Sequence, residues 1–581
     1  MQTFYTTEKS VQIVVALLKA HGIRKIIASP GTTNITLVAS LQCDPFFEMY
    51  SAADERSAAY MACGLAVESG EPVVLSCTGA TASRNYIPAL TEAFYRKIPV
   101  LAITSTQNTE KVGHLVPQVI DRSEQLSDIV RYSTNVPAIT DDSQIWGCEI
   151  KVNNALLELT RHGGGPVHIN LATTYCKDFT VEHLPKYRVI RRVNIGDEFP
   201  QMDHRKVAIF IGSNYKLQDK ECVVMDDFCA QYGGVVLCDH TSGYKGRFGV
   251  LSQLLYSQAS VDEEVRCVDL LIHIGEVSGE YGLLNVISPK EVWRVSEDGE
   301  IRDTFRKLTC VFEMDINSFF EHYVSDAVPV AAGVYEKFAS RYDAICKSIP
   351  ELPFSNIWIA RKISKMLPEN SVLHLGILNS LRAWNFFEVP KSVNVYSNVG
   401  GFGIDGGIST LIGASLADKE RLYFGVVGDL AFFYDMNSLG NRHVGKNIRL
   451  MLINNGVGTE FKNYSHPAYR FGQDADKYMA AAGHYGNKSP LLVKHYAEDL
   501  GFEYLTASNK QEFDALYERF ISAEITDRPI LFEVFTESGN ESDALRIISN
   551  VYQDTTKRAA NIVREILGES AVQMVKKIIG K

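Results

Sequence analysis

No hydrophobic run in this 581-residue chain approaches the length that crosses a bilayer, which excludes a bundle of membrane-spanning helices. A leader is not expected either: Val11 to Leu18 is short, precedes polar His21-Gly22, and reads as an amphipathic helix. Eleven cysteines are scattered (Cys43, Cys63, Cys77, Cys148 and others) without a CxxC pair or a repeated spacing. That pattern excludes a disulfide frame and a zinc site, and predicts reduced core thiols in a cytoplasmic protein. Positive charge is in deficit, with a net charge of −11, so neither nucleic acid nor an anionic membrane is an expected partner. The middle third has no G-x-G-x-x-G, which speaks against a bound flavin or nicotinamide there. Short-period repeats and low-complexity tracts are also missing.

What the chain does contain is concentrated at two turns. An apolar run from Leu422 to Val427 leads into Gly428-Asp429-Leu430, and a second, Ile448 to Ile453, leads into Asn454-Asn455-Gly456. Each reads as a buried parallel strand ending in a polar turn, with Phe432 to Gly445 as the helical crossover between them. Ligands bind where such strands end. Asp429, Asn455 and the carbonyl of Val457 would form a half-shell of hard oxygens, which suits Mg²⁺ completed by phosphate and water. Asp and Asn are also ordinary turn residues, so the pair alone does not decide the matter.

Three strand-loop-helix units occupy the first hundred residues. They are Ile26 to Gly31, the segment around Asp54-Glu55-Arg56 opening an apolar helix, and Val73 to Ser76 running into Cys77-Thr78-Gly79 before a helix with Asn85. Glu55 has two readings: a carboxylate in an apolar setting that shares a proton with a ring nitrogen, or a first-turn glutamate complementing the helix dipole.

Taken together, Ser29-Pro30-Gly31, Asp54-Glu55-Arg56-Ser57-Ala58-Ala59, Thr78-Gly79, Asn85, Gly403-Ile404-Asp405-Gly406, Gly428-Asp429-Leu430 and Asn454-Asn455 resemble the thiamine-diphosphate-dependent enzymes of the pyruvate decarboxylase and acetolactate synthase superfamily. Within it the chain is most similar to the menaquinone-pathway synthases that join 2-oxoglutarate to isochorismate. The resemblance spans essentially the whole length. It implies an α/β chain of three doubly wound parallel-sheet domains, with pyrimidine-binding, central and diphosphate-binding roles, expected at residues 1–185, 200–345 and 352–581. The central domain is expected to carry no cofactor, and the tail from Thr555 to Lys581 to form amphipathic helices with Ile562, Val563, Ile566, Leu567, Val575 and Ile578 on one face.

The resemblance also implies roles. Asp429, Asn455 and Val457 hold Mg²⁺ and through it the diphosphate of thiamine diphosphate, with backbone amides around Leu430, Ala431 and Phe432 adding donors. Ile404, between Gly403 and Gly406, wedges under the cofactor, and Glu55 bonds its aminopyrimidine ring. Pro30, Gly31, Thr78, Gly79, Asn85 and Gly428 line the cofactor, and Gln118 reaches toward the reacting carbonyl. Nearby His114 reads as a loop histidine. Two chains pair head to tail, so a homodimer or homotetramer is expected.

Four departures bear on substrate. The related synthases carry an arginine two positions after Ser-Pro-Gly, where Thr32-Thr33 begins here, and another in an Ala-Asp-Arg-Pro loop that here reads Ala102-Ile103-Thr104-Ser105-Thr106. Their Asn-Ser-x-x-x-Arg is Asn379-Ser380-Leu381-Arg382-Ala383-Trp384, and their Ser-Asn-Arg-Gly is Ser397-Asn398-Val399-Gly400. Arginine forks bind carboxylates bidentately, so their loss predicts a smaller or less acidic 2-oxo acid such as pyruvate. Thr32, Thr33, Asn379, Ser380 and Trp384 are the candidate contacts to a hydroxyl-rich carbonyl acceptor. Glu460 reads either as a proton relay to the new alkoxide or as a loop glutamate pairing with Lys462. The expected activity is decarboxylation with transfer of the acyl carbanion to that acceptor. A simple decarboxylase, the menaquinone-pathway synthase itself and a catalytically silent scaffold are the alternatives; the pairing of Glu55 with a complete metal set favours an active enzyme.

Overall fold

Alternation of apolar side chains builds two cores from one sheet in the N-terminal region. In β1 (Lys25–Ala28), β3 (Val73–Cys77) and β4 (Val100–Thr106) every residue is buried. Ile26, Val74, Leu101 and Ile103 pack on one face against the helix Lys9–Ala20. Ile27, Val73, Leu75, Val100 and Ala102 pack on the other, against the helix Glu55–Ser69. Successive side chains of a strand point to opposite faces, so a strand buried on both faces reads as a continuous apolar run. Each of these Val, Ile and Leu side chains contributes about 1.5–3 kcal/mol by leaving water.

The computed structural model describes residues 4–107, 109–202, 206–214, 217–324, 333–484 and 488–552. The expected amphipathic tail, with Ile562, Val563, Ile566, Leu567, Val575 and Ile578, lies outside them. The chain has three parallel sheets. Adding β2 (Glu48–Ser51), β5 (Tyr132–Val136) and β6 (Val167–Ala172), the first runs β2-β1-β3-β4-β6-β5. The middle region supplies β7 (Arg191–Asn194), β8 (Val207–Ile211), β9 (Val235–Cys238), β10 (Gly249–Leu251), β11 (Cys267–Ile274), β12 (Ser288–Val295) and β13 (Leu308–Glu313). Of these, β10-β9-β8-β11-β12 follow one another in register, and β13 pairs with β7. The third sheet comprises β14 (Val372–Leu375), β15 (Asn394–Tyr396), β16 (Tyr423–Gly428), β17 (Ile448–Asn454), β18 (Glu503–Ala507) and β19 (Ile530–Phe535). Its order, β15-β14-β16-β17-β19-β18, repeats that of the first sheet strand for strand. The chain thus carries two α/β units of the same strand order.

Two compact units divide these elements: residues 1–198 with 298–313, and residues 199–297 with 314–581. Within the first, Glu313 at the end of β13 pairs with Arg161, Nε to Oε2 at 3.1 Å, and Trp146 Nε1 donates to Asp303 at 2.8 Å, which fastens the inserted 298–313 segment. One local expectation is corrected. The crossover between β16 and β17 is not a helix over Phe432–Gly445: the helix starts at Asp429 itself and ends at Asp435, followed by a 3₁₀ turn Met436–Gly440. Phe432 and Phe433 are buried in the core beneath the sheet, which draws the helix start back onto the strand end. All eleven cysteines are unpaired thiols. Among the described residues no helix is long and apolar enough to cross a membrane.

Candidate active site

In the third sheet the chain leaves β14 in one direction to reach β15 and in the other to reach β16, so the strand order reverses between β14 and β16. That reversal opens a crevice at the carboxyl ends of the strands. A cleft of about 210 Å³ lies there, lined by turns after β14 (Ile377–Ser380), β16 (Gly428–Ala431) and β17 (Asn455–Phe461), with Ile404, Asn356 and Glu541.

Asp429 is 5% exposed at its base. Its Oδ1 accepts from Leu430 N–H at 2.7 Å, and its Oδ2 from the N–H groups of Gly456 at 2.6 Å and Asn455 at 3.2 Å. Gly456 reaches this position with φ +72°, a left-handed conformation that favours glycine. Burial pushes the Asp429 carboxyl up to about 6, against the pull of those amides. Asn455 Oδ1 is buried and has no partner among the described residues. A buried acceptor without a donor is costly, and beside a carboxylate it fits a divalent cation. Among the described residues no three His, Cys, Asp or Glu side chains are grouped closely enough to hold a metal ion, so a cation here must draw on amide and carbonyl oxygens as well.

Glu541 was not identified from sequence. It sits in the first turn of the helix Ser538–Ile548, lines the cleft, and accepts from Asn356 N–H at 2.9 Å through Oε1. Burial, and secondarily the charge of Asp429, lift it to about 7. The readable signal was an acid in the first helical turn after a buried strand, β19. Glu460 is also on the wall, held end-on by Arg382 with Nη1–Oε2 at 2.9 Å and Nη2–Oε1 at 3.0 Å. The expected alternative partner, Lys462, instead bonds Gly472 O at 2.9 Å and pairs with Asp476. Among the described residues, side chains lining the cleft thus include three carboxyls, Asp429, Glu460 and Glu541, and no arginine or lysine.

The proposed substrate positions divide. Asn379 and Ser380 line the cleft. Trp384 does not: it is 1% exposed, buried in the core, so the acceptor contact expected from it is corrected. Three residues beyond Leu381 on the same short helix, its ring faces inward with Leu381 and Ala383, both 1% exposed. Trp384→Ala is accordingly expected to lower stability by about 3–5 kcal/mol, seen as an earlier denaturation midpoint, with KM unchanged in the molecules that remain folded; a KM effect at wild-type stability would contradict this placement.

The N-terminal unit presents its own candidates at strand ends. Pro30 and Gly31 line a hollow of about 350 Å³ after β1. A Cβ at Gly31 would lie 2.5 Å from Thr78 Cβ, so only glycine lets the two loops touch. Thr33 is buried, its hydroxyl 2.5 Å from Thr78 Oγ1 and 2.9 Å from Ser105 O, while Thr32 is exposed. Behind Gly79 stands Arg122, 2% exposed and bonded to Ser105 O and Asn170 Oδ1, its pKa lowered to about 10 by burial. Asn85 ends the short helix Thr81–Asn85, and Gln118, at φ +64°, is exposed, as is His114. Glu55 is the first residue of its helix, which Asp54 caps by accepting from Ser57 N–H at 3.1 Å. Within this chain Glu55 is half-buried, not enclosed, because the apolar residues of the helix, Ala58, Ala59 and Ala62, face the sheet one turn later.

The chain is a thiamine pyrophosphate enzyme: residues 9–125 match the thiamine pyrophosphate enzyme N-terminal TPP binding domain, and residues 379–534 the C-terminal TPP binding domain. More narrowly, the chain belongs to the family of the 2-succinyl-5-enolpyruvyl-6-hydroxy-3-cyclohexene-1-carboxylate synthases. It is 33% identical to that of Bacteroides thetaiotaomicron over 95% of this chain and 100% of the relative. It is 32% identical to that of Phocaeicola vulgatus over 93% and 98%. A Rhodococcus jostii RHA1 thiamine diphosphate-dependent 4-hydroxybenzoylformate decarboxylase is 16% identical, covering 91% of this chain and 99% of its own, with a TM-score of 0.39.

Proposed function

We propose that the chain decarboxylates a small, pyruvate-like 2-oxo acid, using thiamine diphosphate and Mg²⁺, and transfers the acyl unit to a carbonyl acceptor with formation of a C–C bond. The observation that carries this reading is the cleft lining: a half-shell of metal-seeking oxygens beside three carboxyls, with no cationic side chain among the described residues to receive a second substrate carboxylate. Asp429, Asn455 Oδ1 and the Val457 carbonyl are the metal ligands in this reading. Amides of the first helical turn at Ala431 would add donors for the diphosphate, while Leu430 N–H is already committed to Asp429. When bound, thiamine diphosphate supplies a carbon nucleophile and the electron sink for the carbanion left as CO₂ departs. Ile404 shapes the cofactor's seat from the cleft wall, and Ile377, Leu430, Ile453 and Phe461 keep the reacting centre dry. Glu55 would exchange a proton with the cofactor's ring nitrogen, Gln118 would orient the reacting carbonyl, and Glu460, paired with Arg382, would face the new alkoxide from the wall.

A second reading, the menaquinone-pathway synthase itself, is favoured by the 33% identity over 95% of the chain. Mass spectrometry of products from cofactor-loaded enzyme separates the readings. Pyruvate consumed only with an aldehyde or keto-sugar present supports the proposal, and pyruvate consumed without any acceptor supports a simple decarboxylase. Turnover of 2-oxoglutarate with isochorismate, but not of pyruvate, would overturn the proposal in favour of the synthase; no turnover with any of them would point to a scaffold.

Two further outcomes follow from this reading. Protons compete with the metal for Asp429, so cofactor affinity falls by up to about tenfold per pH unit below about 6, measurable by calorimetry. Without cofactor the sign reverses: a carboxyl raised above its ordinary value near 4 stabilises the fold fully below that value and loses this contribution as pH rises through about 6. The proposed assembly is a homodimer or homotetramer, so light scattering should give at least twice the 64.7 kDa chain mass; a fully active monomer would contradict it.

A further inference from the structure

Arg382 and Glu460 come from turns after different strands, Arg382 from the helix Asn379–Trp384 beyond β14 and Glu460 from the 3₁₀ turn Thr459–Lys462 beyond β17. They meet at the cleft wall in a two-point, end-on pair of 2.9 and 3.0 Å. Arg382 Nη1 also donates to Asn379 Oδ1 at 3.0 Å, and Asn463 Nδ2 donates to Glu460 Oε2 at 3.0 Å. The end-on edge of the guanidinium is therefore occupied by a carboxylate belonging to the chain itself.

We propose that Arg382 is a carboxylate-binding fork kept filled by Glu460, and that this internal pairing sets donor specificity by denying the fork to a second substrate carboxylate. The proposal rests on reading the cleft as the 2-oxo acid site. Three features carry it. The guanidinium–carboxylate geometry is the one by which arginine recognises any carboxylate, so a ligand carboxylate is chemically interchangeable with that of Glu460. The side chains of Arg382 and Glu460 are 21% and 22% exposed, so the pair stands at the wall and is not sealed in the core. Exchange there does not require a charge to be stranded in a dry interior. Finally, Arg382 reaches the wall only through Glu460, and among the described residues no arginine or lysine side chain lines the cleft, so a dicarboxylate entering it meets Asp429, Glu460 and Glu541 without a free fork. Exclusion of the diacid thus comes from the acid that fills the fork, beside the absence of other cleft-lining cations among the described residues.

The test is calorimetric binding of two unreactive probes, glutarate and propionate, to the full chain loaded with thiamine diphosphate and Mg²⁺. Glu460→Ala should bind glutarate at least about tenfold more tightly than wild type, the scale of one two-point charged contact, with propionate changed by less than about threefold. Glu460→Ala combined with Arg382→Gln should return glutarate to its wild-type weakness. If Glu460→Ala does not fold, Glu460→Gln carries the same test with a smaller gain of the same sign. The proposal is overturned if neither single variant gains glutarate affinity, or if the double variant keeps the gain. Cofactor binding is titrated first in each protein: its failure in wild type would sink the functional reading, whereas normal cofactor binding without the glutarate gain sinks this proposal alone.

Discussion

Asp429→Asn is expected to weaken binding of thiamine diphosphate with Mg²⁺ by about 100-fold or more, since loss of even an outer-sphere partner costs metal sites 10–100-fold. The substitution keeps the shape of the side chain but removes its charge. At the same time it should stabilise the cofactor-free protein near pH 8 by about 1–3 kcal/mol, because native Asp429 is ionised there at a cost that burial imposes. Opposite signs for affinity and stability are the signature of a group held in an unfavourable state for function. Calorimetry and thermal denaturation, run on the same preparation, read both. Unchanged cofactor affinity would remove Asp429 from the metal site, and a less stable cofactor-free variant would mean that the three amide bonds to Asp429 outweigh its burial.

Glu55→Gln is expected to leave folding and cofactor affinity nearly intact while turnover falls by about 100- to 10,000-fold, the usual worth of a positioned proton-transfer group. The structural cost is small because Glu55 is half-buried at the first position of its helix, where a carboxylate contributes about 0.3–1 kcal/mol through the helix dipole. Asp54, the residue that caps the helix, is untouched. Steady-state kinetics beside far-ultraviolet circular dichroism checks the separation. Wild-type turnover would place the proton transfer elsewhere, and an unfolded variant would make Glu55 a structural residue.

Much of this architecture is written in short-range patterns. The strands that end at Asp429 and Asn455 are mostly apolar runs, the second interrupted by the buried Arg449, and their parallel pairing from Tyr423↔Ile448 to Gly428↔Ile453 follows from burial on both faces. The candidate cofactor turns were legible because each joins a buried strand to small or polar residues that tolerate sharp backbone changes. What the sequence did not disclose depends on long-range packing. Trp384 follows Asn379-Ser380 at a spacing that reads as a substrate contact, but one side of its short helix is the core, and spacing alone does not tell wall from core. Glu460 and Arg382 are separated by 78 residues, and their pairing exists only because β14 and β17 deliver two turns to one cleft. Glu541 comes from a helix after β19, which carries no motif of its own; only the fold brings it near Asp429.

The claim on which the rest depends is that a divalent cation, held by Asp429 and Asn455, anchors the diphosphate in this cleft. Titrating thiamine diphosphate into metal-stripped protein, with and without Mg²⁺, addresses it most directly. Saturable binding of one cofactor per chain that appears with Mg²⁺, vanishes with a chelator and is lost in Asn455→Ala is the predicted result. Equal affinity with and without the metal, or in Asn455→Ala, would contradict it.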